Sequence, residues 1–372
     1  SDFYEGQVEE WDPLTGHIQV IVGSGAGLAD RSAGFYNGFH ARWDKAGSKL
    51  FFIRKTPKEV SRRELPSCCE IKTDRENVLT LDICRYQLGQ EPVSGSMEIW
   101  QAQCQIRESL GMVQIHRNGL AQRYCWIGTP HPGDGRPLCL YLDFEVAEAP
   151  AGDVYLVLEQ PFRFAIRCNG ESVDNKAAGW FLDRAFEKVK LPKLKPGTNT
   201  IELSCAYTNA MELENCYLAG DFGVTADRAL IAMPKTLEIG DWTKQGLYHY
   251  SGCVTYQYHY RWNQSRGTRA YLQLGRWDAV CVTVKVGENC FEIPWSMEAP
   301  VDLTDVLEDG DNLIEIQVMG SPRNMMGPLH LKGGKPLNTH DSCFSPDPED
   351  YCEEYQIIPY GLMEPAVVLE MK

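Results

Sequence analysis

The sequence predicts an all-β protein made of tandem β-sandwiches, and two observations predict it. Short segments alternate apolar and polar residues with the period of two that a half-buried strand requires, while long helical patterns are scarce. A loose internal repeat of apolar strand, glycine turn, further strand and glycine-asparagine corner runs over residues 162–203 and again over residues 279–318. A unit of this size that returns indicates two copies of one β-domain.

The turns of the repeat follow from its residues. The apolar side chains that share one face of the opening segment are Phe162, Phe164, Ile166 and Cys168. Asn169-Gly170 supplies the positive-φ residues of a tight hairpin, and Gly287 occupies a similar corner in the second copy. The corners at residues 197–199 and 310–312 each lead into a short strand that alternates apolar and acidic residues. Each copy is therefore expected to close with an antiparallel strand.

Chain length and two polar segments predict the domain order. A chain of 372 residues exceeds what one hydrophobic core usually organises. We expect residues 1–60 to be the closing strands of a preceding β-domain, because this short N-terminal β segment cannot form a whole sandwich. Residues 61–235 and 236–372 are expected to form one sandwich each. Polar segments at residues 56–67 and 234–246 mark the two boundaries.

Two segments depart from the strand pattern. Residues 97–111 place Met97, Trp100 and Cys104, and with them Ile106 and Leu110, near one stripe of a helix, so we expect a helix there. After Val318 the periodicity disappears into a stretch rich in Gly, Pro, Ser and Asp. We interpret that stretch as a long functional loop or a wrapping tail, followed by a final strand near the end of the chain.

Composition and charge exclude several kinds of partner. The net charge of -15 repels phosphate backbones and anionic lipid head groups, and no basic stripe with interleaved aromatic residues is present. No apolar run approaches the roughly 20 residues that span a bilayer. The segment that starts at Ser1 lacks the basic and apolar regions of a signal peptide. We therefore expect neither nucleic acid nor membrane as a partner.

The fourteen cysteines favour reduced thiols over a disulfide framework. Most lie within apolar strand patterns, where cysteine behaves as a small hydrophobic residue. This favours a cytoplasmic location, with secretion as the alternative if the natural N-terminus precedes Ser1. The one mixed cluster of possible ligands comprises His330, His340, Cys343 and Cys352, and its spacing matches no zinc motif. We predict no metal site and no cofactor, with a structural calcium ion as the exception that acidic loops allow.

Several segments carry a resemblance to a known family. Residues 240–260, 301–318 and 321–330 resemble the sugar-binding jelly-roll domains of family two glycoside hydrolases and related large bacterial glycosidases. The segments LEQPFRFAIRCNGE, LPKLKPGTNTIEL and ELENCYLAGDFGV are similar to the galactose-binding-like sandwich that precedes such a domain. The resemblance implies two galactose-binding-like jelly rolls.

The same resemblance implies a function. The chain would be a non-catalytic, C-terminal accessory region of a bacterial glycoside hydrolase, which binds carbohydrate or supports an upstream catalytic domain of the same polypeptide. No regular alternation of strands and helices could build the catalytic (β/α)8 barrel, so we assign no catalytic residues. Glu212, Glu214 and Asp221 form one cluster of acids, and Glu298 and Asp302 form another. We interpret both as structural, because acids beside turns commonly bond loop amides.

Aromatic residues near strand ends are the predicted sugar-binding groups. A sugar's C–H face stacks on an aromatic ring, and its hydroxyls need planar polar partners. The predicted carbohydrate-binding residues are Trp242, Tyr248, His249, Trp262, Arg276, Trp277, Asn324 and His330. Two alternatives stay open: a purely structural or oligomerisation module, and an independent carbohydrate-active enzyme on a β-scaffold.

Overall fold

The structure is a computed structural model, and it describes residues 7–12, 18–21, 48–54, 60–115, 129–263, 268–293, 300–334 and 339–371. The predicted all-β fold is confirmed. An antiparallel N-terminal sheet with the order β2-β1-β3 comprises β1 (Gln7–Trp11), β2 (Ile18–Ile21) and β3 (Leu50–Arg54). In the part of the chain that the structure describes, no helix has the length and apolar character to cross a membrane.

The elements from residue 60 to residue 231 are mostly strands. They are β4 (Val60–Glu64), β5 (Cys68–Thr73), β6 (Asn77–Leu81), β7 (Ile83–Leu88), β8 (Met97–Glu98), α1 (Ile99–Ser109), β9 (Arg136–Val146), β10 (Val154–Glu159), a 3-10 turn (Pro161–Arg163), β11 (Ala165–Cys168), β12 (Glu171–Val173), β13 (Trp180–Phe181), β14 (Asp183–Lys190), β15 (Gly197–Tyr207), β16 (Cys216–Gly220), β17 (Gly223–Val224) and β18 (Ala229–Ile231).

Strands also dominate the rest of the chain. The elements are β19 (Thr236–Glu238), a 3-10 turn (Trp242–Lys244), β20 (Cys253–Trp262), β21 (Arg269–Gln273), β22 (Trp277–Asp278), β23 (Cys281–Val286), β24 (Asn289–Ile293), β25 (Val301–Asp302), β26 (Gly310–Met319), α2 (Arg323–Met326), a 3-10 turn (Asp341–Cys343), β27 (Gly361–Leu362) and β28 (Val367–Met371).

The middle sandwich, residues 77–231, packs two sheets around one core. One sheet has the order β13-β14-β10-β16-β6, and the other has the order β12-β11-β15-β9-β18-β17. Strand β7 pairs with β9 and with β8. Inward-facing residues such as Leu142, Leu156, Ile201 and Leu218 are fully buried between the sheets. Strands β9 and β15 alternate buried and more exposed residues, which is the period-two pattern of the sequence, whereas every residue of β16 is buried.

The second sandwich is built from two separate segments of the sequence. We call it the third block, because it follows the N-terminal sheet and the middle sandwich. Its sheets have the orders β19-β5-β20-β26-β23-β24 and β25-β21-β28-β4. Strand β5 pairs with β20, and β4 pairs with β28, so residues 60–73 belong to this block. Leu65 and Cys69 lie in its core. The sheet pairing therefore differs from the boundary predicted at residue 61, because strands distant in sequence share this core and the middle sandwich is an insertion between β5 and β19.

The internal repeat corresponds to the same strand order in both sandwiches. Strands β12-β11-β15-β9 of the middle sandwich match β24-β23-β26-β20 of the third block. Both copies contain a hairpin with positive φ at its turn, at Gly170 (79°) and at Gly287 (59°). Gly197 and Gly310, at the corners before β15 and β26, have φ values of 92° and 105°. An L-residue with a Cβ is strained in that region, which explains the glycine at these positions.

An asparagine fastens each corner in the same way. Asn199 Nδ2 donates to the carbonyls of Lys195 (2.7 Å) and Gly197 (2.9 Å), and its Oδ1 accepts from the Lys195 amide. Asn312 Nδ2 donates to the carbonyls of Glu308 (2.8 Å) and Gly310 (3.1 Å), and its Oδ1 accepts from the Glu308 amide. This identity of hydrogen bonds supports the repeat inferred from sequence.

Two local expectations change. Helix α1 forms as predicted, but it buries Ile99, Ala102, Gln103, Ile106 and Arg107 instead of the stripe through Trp100 and Cys104. Phe162 is 70% exposed because a 3-10 turn precedes β11, so it does not join Ile166 and Cys168 on the buried face. The thirteen cysteines within the described residues are free thiols, in line with the strand patterns.

Candidate functional site

A pocket opens at one end of the middle sandwich, with a cavity volume of about 310 Å³. That size lies at the lower end of the range of about 300–1,000 Å³ found for small-molecule sites. Its described lining residues are Ile115, Leu140, Leu158, Glu159, Gln160, Arg163, Phe164, Leu203, Ala210, Met211, Glu212, Leu213, Glu214, Asn215 and Cys216. They come from strands β9, β10, β15 and β16 and from the loops at their ends, so folding assembles the pocket from distant segments.

The pocket combines an apolar floor with a polar rim. Leu140, Leu158 and Leu203 are buried floor residues from three strands. Exposed Glu159, Gln160, Arg163, Glu212 and Glu214 supply the rim. A ligand with both C–H surface and hydroxyl groups could contact both parts at once.

Two side chains of helix α1 hold the acidic loop that carries Glu212 and Glu214. Buried Arg107 donates to Oδ1 of Asn209 at 2.6 Å and to its carbonyl at 3.2 Å. The Gln103 side chain accepts a hydrogen bond from the backbone amide of Leu213. Because buried polar groups hold the loop on both sides of Glu212, its position is set before any ligand arrives.

The opposite rim is a turn with an unusual backbone. Gln160 has φ of 49° although it is not glycine, and its side chain accepts a hydrogen bond from Arg163. The next residues form the 3-10 turn Pro161–Arg163, which projects Phe162 into solvent. Non-glycine residues in the left-handed region are often found at binding sites, since the surrounding structure must hold them there. The turn therefore presents an aromatic ring, a guanidinium and an amide side by side.

The rings of two predicted sugar-binding residues are buried. Trp242 is fully buried between Tyr250 and Tyr360, with ring centroids 6.1 and 5.7 Å away. Trp262 is 1% exposed in the core of the third block. The expectation of exposed rings at strand ends is therefore corrected for both, because their strands and loops turn these rings inward and leave no face for a sugar.

The remaining predicted sugar-binding residues lie in separate parts of the structure. Exposed Arg276 and half-buried Trp277 lie together beside β27, where Trp277 pairs with Leu362. Buried Asn324 in α2 exchanges two hydrogen bonds with the backbone of Ile358, so it orders a loop. Tyr248, His249 and His330 lie between the two sandwiches. The sugar-binding assignment of the eight residues stays a prediction, and the structure does not bring them into one cleft.

His330 belongs to a buried polar group between the sandwiches, which we call the junction cluster: Asp82, Glu98, Arg228, His330 and Tyr355. Asp82 forms the link between β6 and β7 and is 1% exposed. Its Oδ1 accepts hydrogen bonds from the Tyr355 hydroxyl at 2.7 Å and from Arg228 at 2.9 Å. Its Oδ2 lies 3.1 Å from Nε2 of His330. One carboxylate thus joins residues of both sandwiches.

Burial and the charges in the junction cluster shift the pKa values of its acids and of His330. Burial would raise the pKa of Asp82, but the hydrogen bond with His330 and the charge of Arg228 outweigh burial and hold this pKa below its ordinary value. Burial would lower the pKa of His330, but Asp82 and Glu98 raise it above 6.5. Burial raises the pKa of Glu98. Asp82, Glu98 and His330 are buried while Arg228 and Tyr355 are half-buried, and this arrangement suits holding the sandwiches together.

His249 lies beside the junction cluster and is uncharged. Its ring is fully buried, Nδ1 accepts a hydrogen bond from the Thr80 amide at 3.3 Å, and Nε2 has no partner among the described residues. Burial, aided by the charge of Arg228, lowers its pKa to about 3. The predicted role of His249 in sugar contact has no exposed atom to support it.

Comparison with known proteins shows only distant likeness. No protein-family model and no curated protein matches the sequence. Among solved structures, a rhamnosidase from Novosphingobium sp. PP1Y is 17% identical with a TM-score of 0.29, over 64% of this chain and 23% of that chain. A beta-D-mannosidase from Dictyoglomus thermophilum is 10% identical with a TM-score of 0.25, over 69% of this chain and 32% of that chain. Both neighbours are glycoside hydrolases, and this chain spans a third of their length or less.

The sequence singled out two of the pocket residues but indicated a structural role for them, and it missed the rest. Glu212 and Glu214 stood out because they are close in sequence, and both line the cavity. Glu159 and Arg163 lie some fifty residues earlier and reach the pocket only through folding. The usable signal was the segment between β10 and β11, where a polar and aromatic run interrupts two apolar strands.

Proposed function

We propose that this chain is a non-catalytic accessory region of a glycoside hydrolase, made of galactose-binding-like jelly rolls, and that it binds carbohydrate in the pocket of the middle sandwich. The observation that carries the proposal is a pocket with an apolar floor and a polar rim, next to which the exposed ring of Phe162 stands on the turn that supplies Gln160 and Arg163. Sugars present the same combination of apolar C–H faces and hydroxyl groups.

The rim chemistry favours a neutral sugar. Three of its side chains are acidic, Glu159, Glu212 and Glu214, and one is basic, Arg163. Carboxylates and amides accept hydrogen bonds from hydroxyls, and Arg163 donates to ring or hydroxyl oxygens. An anionic sugar would meet a net negative rim on a chain of net charge -15, which disfavours it. The ring of Phe162 would cover one apolar face of the ligand.

The accessory role has separate support. The segments that resemble sugar-binding jelly rolls cover both sandwiches, and in such proteins these domains accompany a catalytic domain of the same polypeptide. We infer that carbohydrate and that catalytic domain are the partners of this region. Binding would then keep the catalytic domain near its polysaccharide by raising its local concentration.

Calorimetry and affinity electrophoresis against neutral and acidic mono- and polysaccharides test the proposal. We expect saturable binding of a neutral sugar, and at least a tenfold loss of affinity in Phe162→Ala and in Glu212→Gln. Trp180→Ala is the matched control, since Trp180 is a 56% exposed aromatic residue of the same sandwich that, unlike Phe162, has no pocket-lining residue next to it in the chain. Its affinity should equal that of the wild type.

Three other results would contradict the proposal. Binding that is lost in Trp277→Ala and kept in Phe162→Ala would move the site to the surface beside β27. No binding by the folded chain to any sugar would favour a structural or oligomerisation module. Release of nitrophenol from aryl glycosides, abolished in Glu212→Gln or Glu214→Gln, would instead establish an enzyme, because glycoside hydrolysis uses a pair of carboxyl groups.

A further inference from the structure

The junction cluster carries an inference that is independent of sugar binding. We propose that Asp82, Glu98 and His330 bind one divalent transition-metal ion, which ties the middle sandwich to the third block. One oxygen of each carboxylate and one ring nitrogen lie within 4.8 Å of one another. Two carboxylates and an imidazole suit Mn²⁺ or Zn²⁺, whereas Ca²⁺ takes oxygen ligands.

The imidazole is oriented as a ligand would be. Nδ1 of His330 lies 2.9 Å from the carbonyl oxygen of Cys352, and Nε2 lies 3.1 Å from Oδ2 of Asp82. Both neighbours are hydrogen-bond acceptors. Without a metal ion, a proton on each ring nitrogen would satisfy both acceptors; a metal ion that replaces the proton on Nε2 leaves the proton on Nδ1 donated to the carbonyl. Metal-binding histidines are commonly held by such a second hydrogen bond.

Each of the two carboxylates is also held by hydrogen bonds to one oxygen, and its other oxygen is directed inward. Asp82 Oδ1 is engaged by Tyr355 and Arg228, which leaves Oδ2 toward His330. The Glu98 side chain accepts a hydrogen bond from the backbone amide of Gln101 at the start of α1.

The second oxygen of Glu98 is an independent sign of a ligand. Glu98 is 7% exposed, and its Oε1 is buried with no hydrogen-bond partner among the described residues. Trp100 and Tyr351 lie beside this carboxylate and lower its pKa, so they stabilise its charged form without giving Oε1 a hydrogen bond of normal geometry. A buried carboxylate oxygen without a donor is costly unless a cation meets it.

The charge balance also leaves room for a cation. Asp82 and Glu98 bring two carboxylates into a closed space, and Arg228 compensates one of them at 2.9 Å from Asp82. The lone pair of Nε2 and the remaining carboxylate then face a position that either a proton or a metal ion must fill. These two occupants give different experimental results.

Mn²⁺ is the probe for the test, because the many free thiols of the chain would also bind Zn²⁺. The full chain is titrated with MnCl₂ at pH 8, since metal ligands must be deprotonated and a higher pH favours binding, and free Mn²⁺ is followed by electron paramagnetic resonance. We expect one bound Mn²⁺ per chain and a metal-dependent rise in the unfolding temperature. Glu98→Gln, which preserves shape, is expected to weaken binding at least tenfold.

The matched control is His259→Gln, because His259 is an exposed histidine of the third block outside the cluster. It should bind Mn²⁺ as the wild type does, and Ca²⁺ should compete weakly. The proposal is overturned if the wild type binds no Mn²⁺, or if Glu98→Gln binds it with unchanged affinity. In the first case a proton on His330 fills the position, and the cluster is a hydrogen-bonded joint only.

Discussion

At the residue scale, the polar groups in the interior connect segments that apolar contacts alone would leave free to slide. Arg107 is fully buried in α1, yet it fixes the loop at Asn209 that leads into the pocket. Asp82 does the same between the sandwiches, where it meets Arg228 and His330. Hydrogen bonds and charges specify one geometry, whereas buried leucines tolerate several.

His249 makes a residue-scale prediction about pH. Its pKa is about 3 in the folded chain and near 6.5 when exposed, so the unfolded chain binds more protons between these values. Above pH 6.5 His249 is neutral in both the folded and the unfolded chain. As the pH falls toward 3, the unfolded chain binds a proton at His249 that the folded chain does not, so the free energy of unfolding decreases. From pH 7.5 to pH 5 this residue should cost about 2 kcal/mol of unfolding free energy.

The measurement is urea unfolding at both pH values for the wild type and His249→Asn. Asparagine can keep an acceptor for the Thr80 amide but does not titrate, so the variant should lose about 2 kcal/mol less than the wild type on acidification. Other titrating groups, including Asp82, act equally on both proteins. Equal losses in the two proteins would show that His249 is not held neutral by burial.

At the element scale, the two sandwiches use one corner design. The corners of Asn199 and Asn312 form the same three hydrogen bonds to residues two and four positions earlier, and each introduces the long central strand of its sheet. A strand that starts at a fixed corner has a fixed register, and register decides which side chains enter the core. The corner thus links a local turn to the packing of a whole sandwich.

Removing either asparagine should therefore destabilise its own sandwich. Asn199→Ala and Asn312→Ala are each expected to lower the unfolding free energy by about 1–3 kcal/mol, because the corner loses the three hydrogen bonds of a buried asparagine side chain. Asn289→Ala is the control, since Asn289 is exposed and forms one long hydrogen bond of 3.4 Å. Chemical unfolding followed by tryptophan fluorescence measures all three. If Asn199→Ala and Asn312→Ala lowered the unfolding free energy no more than Asn289→Ala does, the corner hydrogen bonds would have no special structural role.

How far the sequence predicts this molecule depends on how local each feature is. The hairpin at Gly170 and the corners at Gly197 and Gly310 were predictable because their backbone angles need specific residues. The burial of Trp242 and Trp262 was not, since a tryptophan at a strand end gives no sign of which way its loop turns. The pocket lies between these cases: its acidic loop was visible, and its opposite rim required the fold.

At the scale of the whole molecule, the middle sandwich is an insertion in the third block. The chain contributes β4 and β5 to the third block, forms the middle sandwich and then returns through β19, which pairs with β5. The junction cluster lies where the two meet. Non-local pairing of this kind has no signature in alternation or turn residues, which is why the predicted boundary at residue 61 differs from the sheets.

The insertion predicts which fragments can fold. Residues 236–372 alone lack β4 and β5, so β20 and β28 each lose a neighbouring strand and the core loses Leu65 and Cys69. That fragment should fail to unfold cooperatively and should aggregate through its open edges. Residues 60–73 joined to residues 236–372 by a short Gly/Ser linker should fold, because β5 and β19 are antiparallel neighbours.

Amide dispersion in NMR spectra and thermal unfolding by circular dichroism distinguish the fragments. Residues 77–231 should give a dispersed spectrum and a single transition, since the middle sandwich has its own core. The fused fragment should behave likewise, while residues 236–372 should not. A cooperative transition of residues 236–372 at the same temperature as the fused fragment would show that β4 and β5 only cover a block that is already complete. The third block would then be the independent unit that its sequence boundaries predicted, and the middle sandwich would precede it instead of interrupting it.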